Sequence, residues 1–504
     1  MSRSAPDPVV STAAGRVRGS WQPGDAGGGP EARVAVFRGI PYAEPPAGPL
    51  RFAPPRPRAS WDGTLDATAF GPTPQRGETG ITLIPEHAIA GHDTLSVNVW
   101  TPEPDPDAAL PVVVWIHGGG FISGSPASPW YDGRAFARDG VILVTLSYRI
   151  GFTGFGWIDG ATQNRGVLDW IRALEWVRDN IRAFGGDPDQ VTIAGQSAGG
   201  GAVLTLLGAP GAAGLFHGAY AMSAAVADPS AQAARARGHH LARLAEVSPD
   251  LDGFAAIPES RLLELQRKVT APAAPHLLHD LHELLRDGLL LGPVVDGAVV
   301  TDPVDAAVAR GANAAVPLVL GCTGDELSGL FHPGGLLDHL PRHALLLALG
   351  AGPGAAHRWL ADPAIRATEG SALLLGRYAS DALLRVQVPR VAAARAAAPA
   401  AGPTWSYRFA WHAEEPPRAG HCIDVPFVFD RLDAEGVDRV AGTAPPQELA
   451  DAVHGALVSL ARDGDPGWTP DAGGSGPSRV FDVPLREEPG AYASARALLD
   501  PEAG

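Results

Sequence analysis

Cysteine is nearly absent from this chain. The two residues present, Cys322 and Cys422, are too few for a disulfide-stapled scaffold and fit a reducing compartment, and both read as small, reduced packing residues. Lysine is scarcer still, Lys268 being the only one, so basic charge is carried almost wholly by arginine. Against 55 acidic residues the 39 basic ones leave a formal net charge of −16, which argues against a phosphate backbone or an anionic bilayer as partner. No apolar run approaches the roughly 20 residues of a spanning helix. Residues 1–10 also lack a cationic segment followed by an apolar one. The expectation is a soluble, cytoplasmic, monomeric protein that binds neither nucleic acid nor membrane.

What is present is ample core material. Hydrophobic residues make up 45% of the 504 and charged residues 19%, far from the composition of a disordered chain, and one large α/β domain over 1–504 is expected. Apolar runs and alternations predict strands at 33–37, 95–100, 112–116 and 141–146. Val167, Leu168, Ile171, Leu174, Val177, Ile181 and Phe184 then recur every three or four residues, which predicts a helix with one apolar face ending at Gly185-Gly186. A short strand at 191–194 runs into Gly195-Gln196-Ser197-Ala198-Gly199, after which a helical stretch reaches Leu207. Further strands at 218–222, 317–320 and 405–409, separated by helical patterns, predict a large, mostly parallel sheet flanked by helices. Residues 229–291 read as a helical insertion over the carboxyl edge of that sheet, and the Gly/Pro run 23–30 as a hairpin loop.

Two glycine-bearing segments carry chemistry. Gly195-Gln196-Ser197-Ala198-Gly199 matches G-x-S-x-G at a strand-to-helix junction, where a sharp turn projects the serine oxygen away from the sheet and small neighbours permit the bend. Alone, these five residues also fit an inert glycine-rich turn. His117-Gly118-Gly119-Gly120-Phe121 follows the strand at 112–116, and backbone N–H groups fixed in such a loop can stabilise an oxyanion. A phosphate cradle is the other use of a glycine run, but no G-x-G-x-x-G or G-x-x-x-x-G-K-[ST] pattern accompanies it and the net charge is unfavourable.

With these segments the chain resembles the type-B carboxylesterase family of the α/β-hydrolase fold. The resemblance begins at Phe37-Arg38-Gly39-Ile40-Pro41-Tyr42-Ala43-Glu44-Pro45-Pro46 and runs through Asn98-Val99-Trp100-Thr101-Pro102, Phe184-Gly185-Gly186-Asp187-Pro188 and Pro293-Val294-Val295-Asp296-Gly297 to Gly464-Asp465-Pro466. It implies a serine esterase with Ser197 as nucleophile, Glu326 as acid and His421 as base, and with the N–H groups of Gly119, Gly120 and Ala198 as oxyanion hole. Glu326 is taken from G-x-x-x-D-E-G-x-x-F, which falls on the segment from Gly321 with Leu327 in place of a glycine and Phe331 one position late; Asp325 is the alternative acid. His421 is taken from H-x-x-[DE]-[LIV]-P-[FY]-V-F, which His421-Cys422-Ile423-Asp424-Val425-Pro426-Phe427-Val428-Phe429 fits at every specified position. Phe121, Leu330 and Phe331 are the candidate pocket lining, and no metal or organic cofactor is implied.

The chain also departs from its relatives. His92-Asp93-Thr94-Leu95 stands where secreted members carry a disulfide cysteine, and 74–92 contains no tryptophan to hold a quaternary ammonium. The implied substrates are small, neutral, hydrophobic esters. A non-catalytic binding homologue, or a hydrolase of carbamates, lactones or amides on the same scaffold, is the competing reading.

Overall fold

Alternation along the strand Leu110–Ile116 sets the architecture. Val112, Val114 and Ile116 belong to one apolar cluster, while Val113 and Trp115 belong to another on the opposite face. A strand buried on both faces needs layers above and below it, as the inner strands of a parallel sheet do.

The computed structural model describes residues 6–24, 33–76, 83–270, 277–331, 336–398, 400–471, 473–474 and 476–499. Its strands are β1 (Val9–Ser11), β2 (Arg16–Arg18), β3 (Ser20–Pro23), β4 (Arg33–Pro41), β5 (Thr64–Asp66), β6 (Ser96–Thr101), β7 (Leu110–Ile116), β8 (Ile142–Leu146), β9 (Gly186–Gln196), β10 (Gly218–Met222), β11 (Leu318–Thr323), β12 (Thr404–Phe409), β13 (Pro477–Phe481) and β14 (Arg486–Pro489). Eleven of them form one sheet in the order β14-β13-β12-β11-β10-β9-β7-β8-β6-β4-β3, and β1, β2 and β5 form a small second sheet. Pairing is parallel from β8 through β13 and antiparallel at both margins.

The strands expected at 33–37, 95–100, 112–116, 141–146, 191–194, 218–222, 317–320 and 405–409 are β4, β6, β7, β8, β9, β10, β11 and β12. The helix expected after Gly166 is Arg165–Asn180, tightened into a 3-10 turn at Ile181–Phe184. β3 and β4 pair as an antiparallel hairpin, but residues 25–30 of the loop expected at 23–30 lie outside the described residues. Within 229–291 the helices Ala231–Ala245, Leu251–Ala255, Glu259–Thr270 and Leu277–Asp287 are present. Leu241, Phe254, Leu262 and Leu265 from the first three pack with Phe52, Phe152 and Ile158 in a separate cluster.

Connectivity reverses where β7 lies between β9 and β8. In an open α/β sheet the crevice outside the carboxyl ends at such a reversal is where ligands bind. The two glycine-bearing segments leave the sheet there, after β7 and after β9.

Candidate active site

β9 delivers Ser197 into a conformation that few non-glycine residues adopt, with φ 60° and ψ −122°, before the helix Ala198–Gly208 begins. The turn is held by its backbone: Ser197 N donates to Met222 O at 2.9 Å, and Ser197 O accepts from Ala225 N and Gly201 N. Only glycine fits beside it at 199, where a Cβ would collide with the Ile116 carbonyl of β7. That close approach brings the β7 loop against the turn. Gly119, Gly120 and Phe121 all have positive φ, and the N–H groups of Gly119, Gly120 and Ala198 have no acceptor among the described residues. His117 anchors the loop: its ring stacks on Tyr148 at 4.4 Å, Nδ1 donates to Gly118 O, and burial pushes its pKa down to about 4, so the ring stays neutral.

Glu326 follows β11 and His421 follows β12. Oε2 of the buried carboxylate lies 2.5 Å from His421 Nδ1, while Oε1 accepts from Ser223 Oγ at 2.5 Å and from Thr323 N at 2.7 Å. Burial would raise the Glu326 pKa, but the His421 charge and these hydrogen bonds outweigh it and hold the group below the usual carboxylate value. Desolvation opposes protonation of the His421 ring, yet the adjacent Cys422 sulfur and the Glu326 carboxylate prevail and raise it well above its ordinary range. On its cavity side, His421 Nε2 lies 3.2 Å from Gln196 Nε2, and no hydrogen bond to Ser197 is present among the described residues. Asp325, the alternative acid, turns its carboxylate to Ala419 N instead.

Ser197, Glu326, His421, Gly119 and Gly120 share the wall of one cavity of about 670 Å³, with Leu83, Ile84, Leu327 and Ile423 as its apolar lining. Two of the three expected lining residues, Phe121 and Phe331, do not occupy that wall. Phe121 is fully buried against Phe155 and Trp170, with ring centroids 5.1 and 6.1 Å away, because its strained backbone turns the ring behind the loop. Phe331 packs with Leu345, Leu346 and Trp359 in another cluster, and Leu327, standing where the family pattern has glycine, takes the wall position. The side chain of Leu330 lies outside the described residues. Both cysteines are free, but only Cys322 is simply core: Cys422 lines the cavity next to His421.

The family model for the carboxylesterase family matches residues 6–334. The chain belongs to the type-B carboxylesterase family. It is 35% identical over 470 residues to a para-nitrobenzyl esterase of Bacillus subtilis, covering 91% of this chain and 90% of that one. It is 32% identical over 475 residues to a phenmedipham hydrolase of Pseudarthrobacter oxydans, at 88% and 89% coverage. A solved para-nitrobenzyl esterase superposes with a TM-score of 0.84 at 30% identity, over 98% of this chain and all of that one, which makes the fold that of an α/β-hydrolase. The protein is therefore a carboxylic-ester hydrolase acting on small-molecule esters. Among the described residues, no group of three His, Cys, Asp or Glu is arranged to hold a metal ion, and no helix is long and apolar enough to cross a membrane.

Two neighbours in this carboxylesterase site, Ser223 and Asp424, have surroundings that the sequence does not show. Ser223 follows β10 with φ 43° and reaches Glu326 across 103 positions. Asp424, three residues after His421, is fully buried; Oδ2 accepts from Tyr407 OH at 3.1 Å, and Oδ1 has no hydrogen-bond partner among the described residues. A motif scan could have flagged Asp424, since it is one of the specified positions, but not its burial.

Proposed function

We propose that this carboxylesterase works by two-step acyl transfer through Ser197, His421 and Glu326. His421 removes the proton from Ser197 Oγ as the oxygen attacks the ester carbonyl, and Glu326 orients the ring and stabilises the imidazolium. The N–H groups of Gly119, Gly120 and Ala198 receive the negative charge on the carbonyl oxygen. His421 then protonates the departing alcohol, and in the second step takes a proton from the water that cleaves the acyl-enzyme.

The observation that carries this reading is the Glu326–His421 contact at 2.5 Å, on the wall of the cavity that also receives Ser197. It fixes Nδ1 as the donor and leaves Nε2, whose neighbour is the Gln196 amide, as the nitrogen that would act as base. Catalytic hydrogen bonds are often long before substrate binds, and here Nε2 has to exchange the Gln196 amide for Ser197 Oγ. The lining by Leu83, Ile84, Leu327 and Ile423 favours esters whose buried portion is neutral and hydrophobic.

A fluorophosphonate probe tests the assignment. One equivalent should label Ser197, Ser197→Ala should not label, and short para-nitrophenyl esters should be turned over by the wild type alone. Wild-type protein that never labels, or a Ser197→Ala variant that keeps its esterase activity, contradicts it. Product analysis with lactones, carbamates and amides then separates the other hydrolytic activities this scaffold can support.

A further inference from the structure

Two guanidinium groups on the catalytic cavity have no partner among the described residues. Other arginines are held by carboxylates, as Arg138 is by Asp139 and Asp430, Arg149 by Asp169 and Arg385 by Asp381, whereas Arg182, Arg243 and Arg390 also lack a side-chain partner among the described residues but do not line this cavity. Arg418 and Arg439 both line the cavity, and among the described residues neither side chain makes an ion pair or a hydrogen bond. Arg418 is half-buried and Arg439 exposed, which places them toward the solvent side of the cavity.

Arg418 is positioned by the same strand-like contact that aligns the acid and the base. Asp325 N donates to Ala419 O at 2.9 Å, Ala419 N donates to Asp325 Oδ2 at 3.0 Å, and Gly420 bridges to Glu326. This contact fixes Arg418 three residues before His421, and it occupies Asp325, the carboxylate on the facing loop, with a backbone N–H. The guanidinium rests on Gly329, where a Cβ would lie 3.1 Å from its Nη1. Arg439 stands on the short helix Asp438–Ala441, beside Val440 of the cavity wall. The cavity's other carboxylate besides Glu326 is Glu86, which is buried and whose charge is felt by Tyr131 and Tyr148.

We propose that Arg418 and Arg439 form an anion-recognition rim, so that esters bearing a carboxylate remote from the scissile bond are preferred over neutral isosteres. This rests on the hydrolase reading above and refines it: the apolar portion fills the cavity and a single negative end reaches the rim. Arginine presents a planar donor fork that matches a carboxylate. A contact far from the reacting carbonyl is made equally in the ground and transition states, so its effect falls on KM and not on kcat.

The test uses two matched pairs: para-nitrophenyl hydrogen glutarate against its carboxamide isostere, with the charge on the acyl side, and para-acetoxybenzoate against para-acetoxybenzamide, with the charge on the alcohol side. At low salt the carboxylate member of at least one pair should have a KM about tenfold lower than its isostere, the scale of one charge-assisted hydrogen bond. High salt should erode the advantage in the wild type. The combined substitution Arg418→Gln and Arg439→Gln should bring the two KM values together, with thermal unfolding verifying that the variant is folded. Equal KM values within both pairs in the wild type, or an advantage that survives high salt or the double substitution, would overturn the rim. Failure of every ester together with failure of fluorophosphonate labelling would instead count against the hydrolase reading itself.

Discussion

Glu326 and His421 are joined twice, once through side chains and once through the backbone. Oε2 lies 2.5 Å from Nδ1, and the His421 N–H donates to the Glu326 carbonyl at 3.0 Å. The second bond ties the loop after β11 to the loop after β12, so the backbones that carry the carboxylate and the ring cannot separate without breaking it.

Replacing Glu326 with Gln should keep this backbone tie while removing the charge and turning one of the two acceptor oxygens into an N–H donor. Because the ring is raised above its ordinary range, its basic form appears only as pH rises through that raised value, and the acid limb of kcat/KM should lie above the usual imidazole range. Glu326→Gln should move that limb to lower pH and reduce kcat by about 10³- to 10⁴-fold, the scale of the equivalent change in a serine protease. A pH–rate profile measures both effects. A limb that stays in place would mean that the carboxylate does not set the ring's proton affinity.

Ser223→Ala should remove one of the two donors on Oε1 and leave Thr323 N–H as the other. The carboxylate becomes easier to protonate and holds the ring less firmly. A loss of about tenfold in kcat is expected, by analogy with the loss on removing the hydrogen-bond partner that orients a metal ligand. The rate of fluorophosphonate labelling should fall in step while KM stays constant. A change confined to KM would place Ser223 in substrate binding instead.

The parts of this site that sequence could show are those whose chemistry is local. Ser197 and the loop from His117 follow strands with apolar cores, and close backbone approaches at Gly118, Gly119, Gly195 and Gly199 and the positive φ of Gly120 account for their glycines, so motif and structure coincide. The margins of the fold were hidden: β1, β2, β5 and β14 are three or four residues long, with little or no apolar alternation to find. β9 begins five residues before the expected strand because its first half, Gly186 to Gln190, is polar yet still pairs at Gly186 with Leu110. Phe121 and Phe331 were misplaced because nearness in sequence to a catalytic residue does not say on which side of the backbone a ring lies. Ser223, Arg418 and the burial of Asp424 depend on contacts between distant segments, which one sequence does not display.

Gly199→Ala should damage the site from within the fold. The added methyl would meet the Ile116 carbonyl at the end of β7, where neither backbone can move without shifting the Ser197 turn or the glycine loop that follows His117. Loss of labelling by fluorophosphonate is expected, together with a lower unfolding temperature. Gly455→Ala is the matched control: it lies inside the helix Gln447–Asp463 with nothing within 4 Å of the new Cβ, and should stabilise by up to about 1 kcal/mol through helix propensity. Equal tolerance of both substitutions would show that the turn has room that its geometry denies.

Asp424 should make the fold less stable as pH rises. Burial first, and the nearby Glu326 charge second, push its carboxyl up to about 7 from an ordinary 3.8, so the folded protein keeps a proton that the unfolded chain has already lost across the interval between them. With more protons bound in the folded state, stability falls with pH through that interval and levels off above it. The full shift corresponds to an upper limit on the order of 4 kcal/mol. Asp424→Asn retains an acceptor for Tyr407 OH and has no proton to lose, so its slope over the same interval should be shallower. Calorimetry near pH 5 and near pH 8 compares the two proteins: the unfolding temperature of the variant should gain a few degrees on the wild type at the higher pH. A difference that is the same at both pH values would mean that Asp424 is ionised throughout, and that the Tyr407 hydroxyl is sufficient to hold its charge inside the protein.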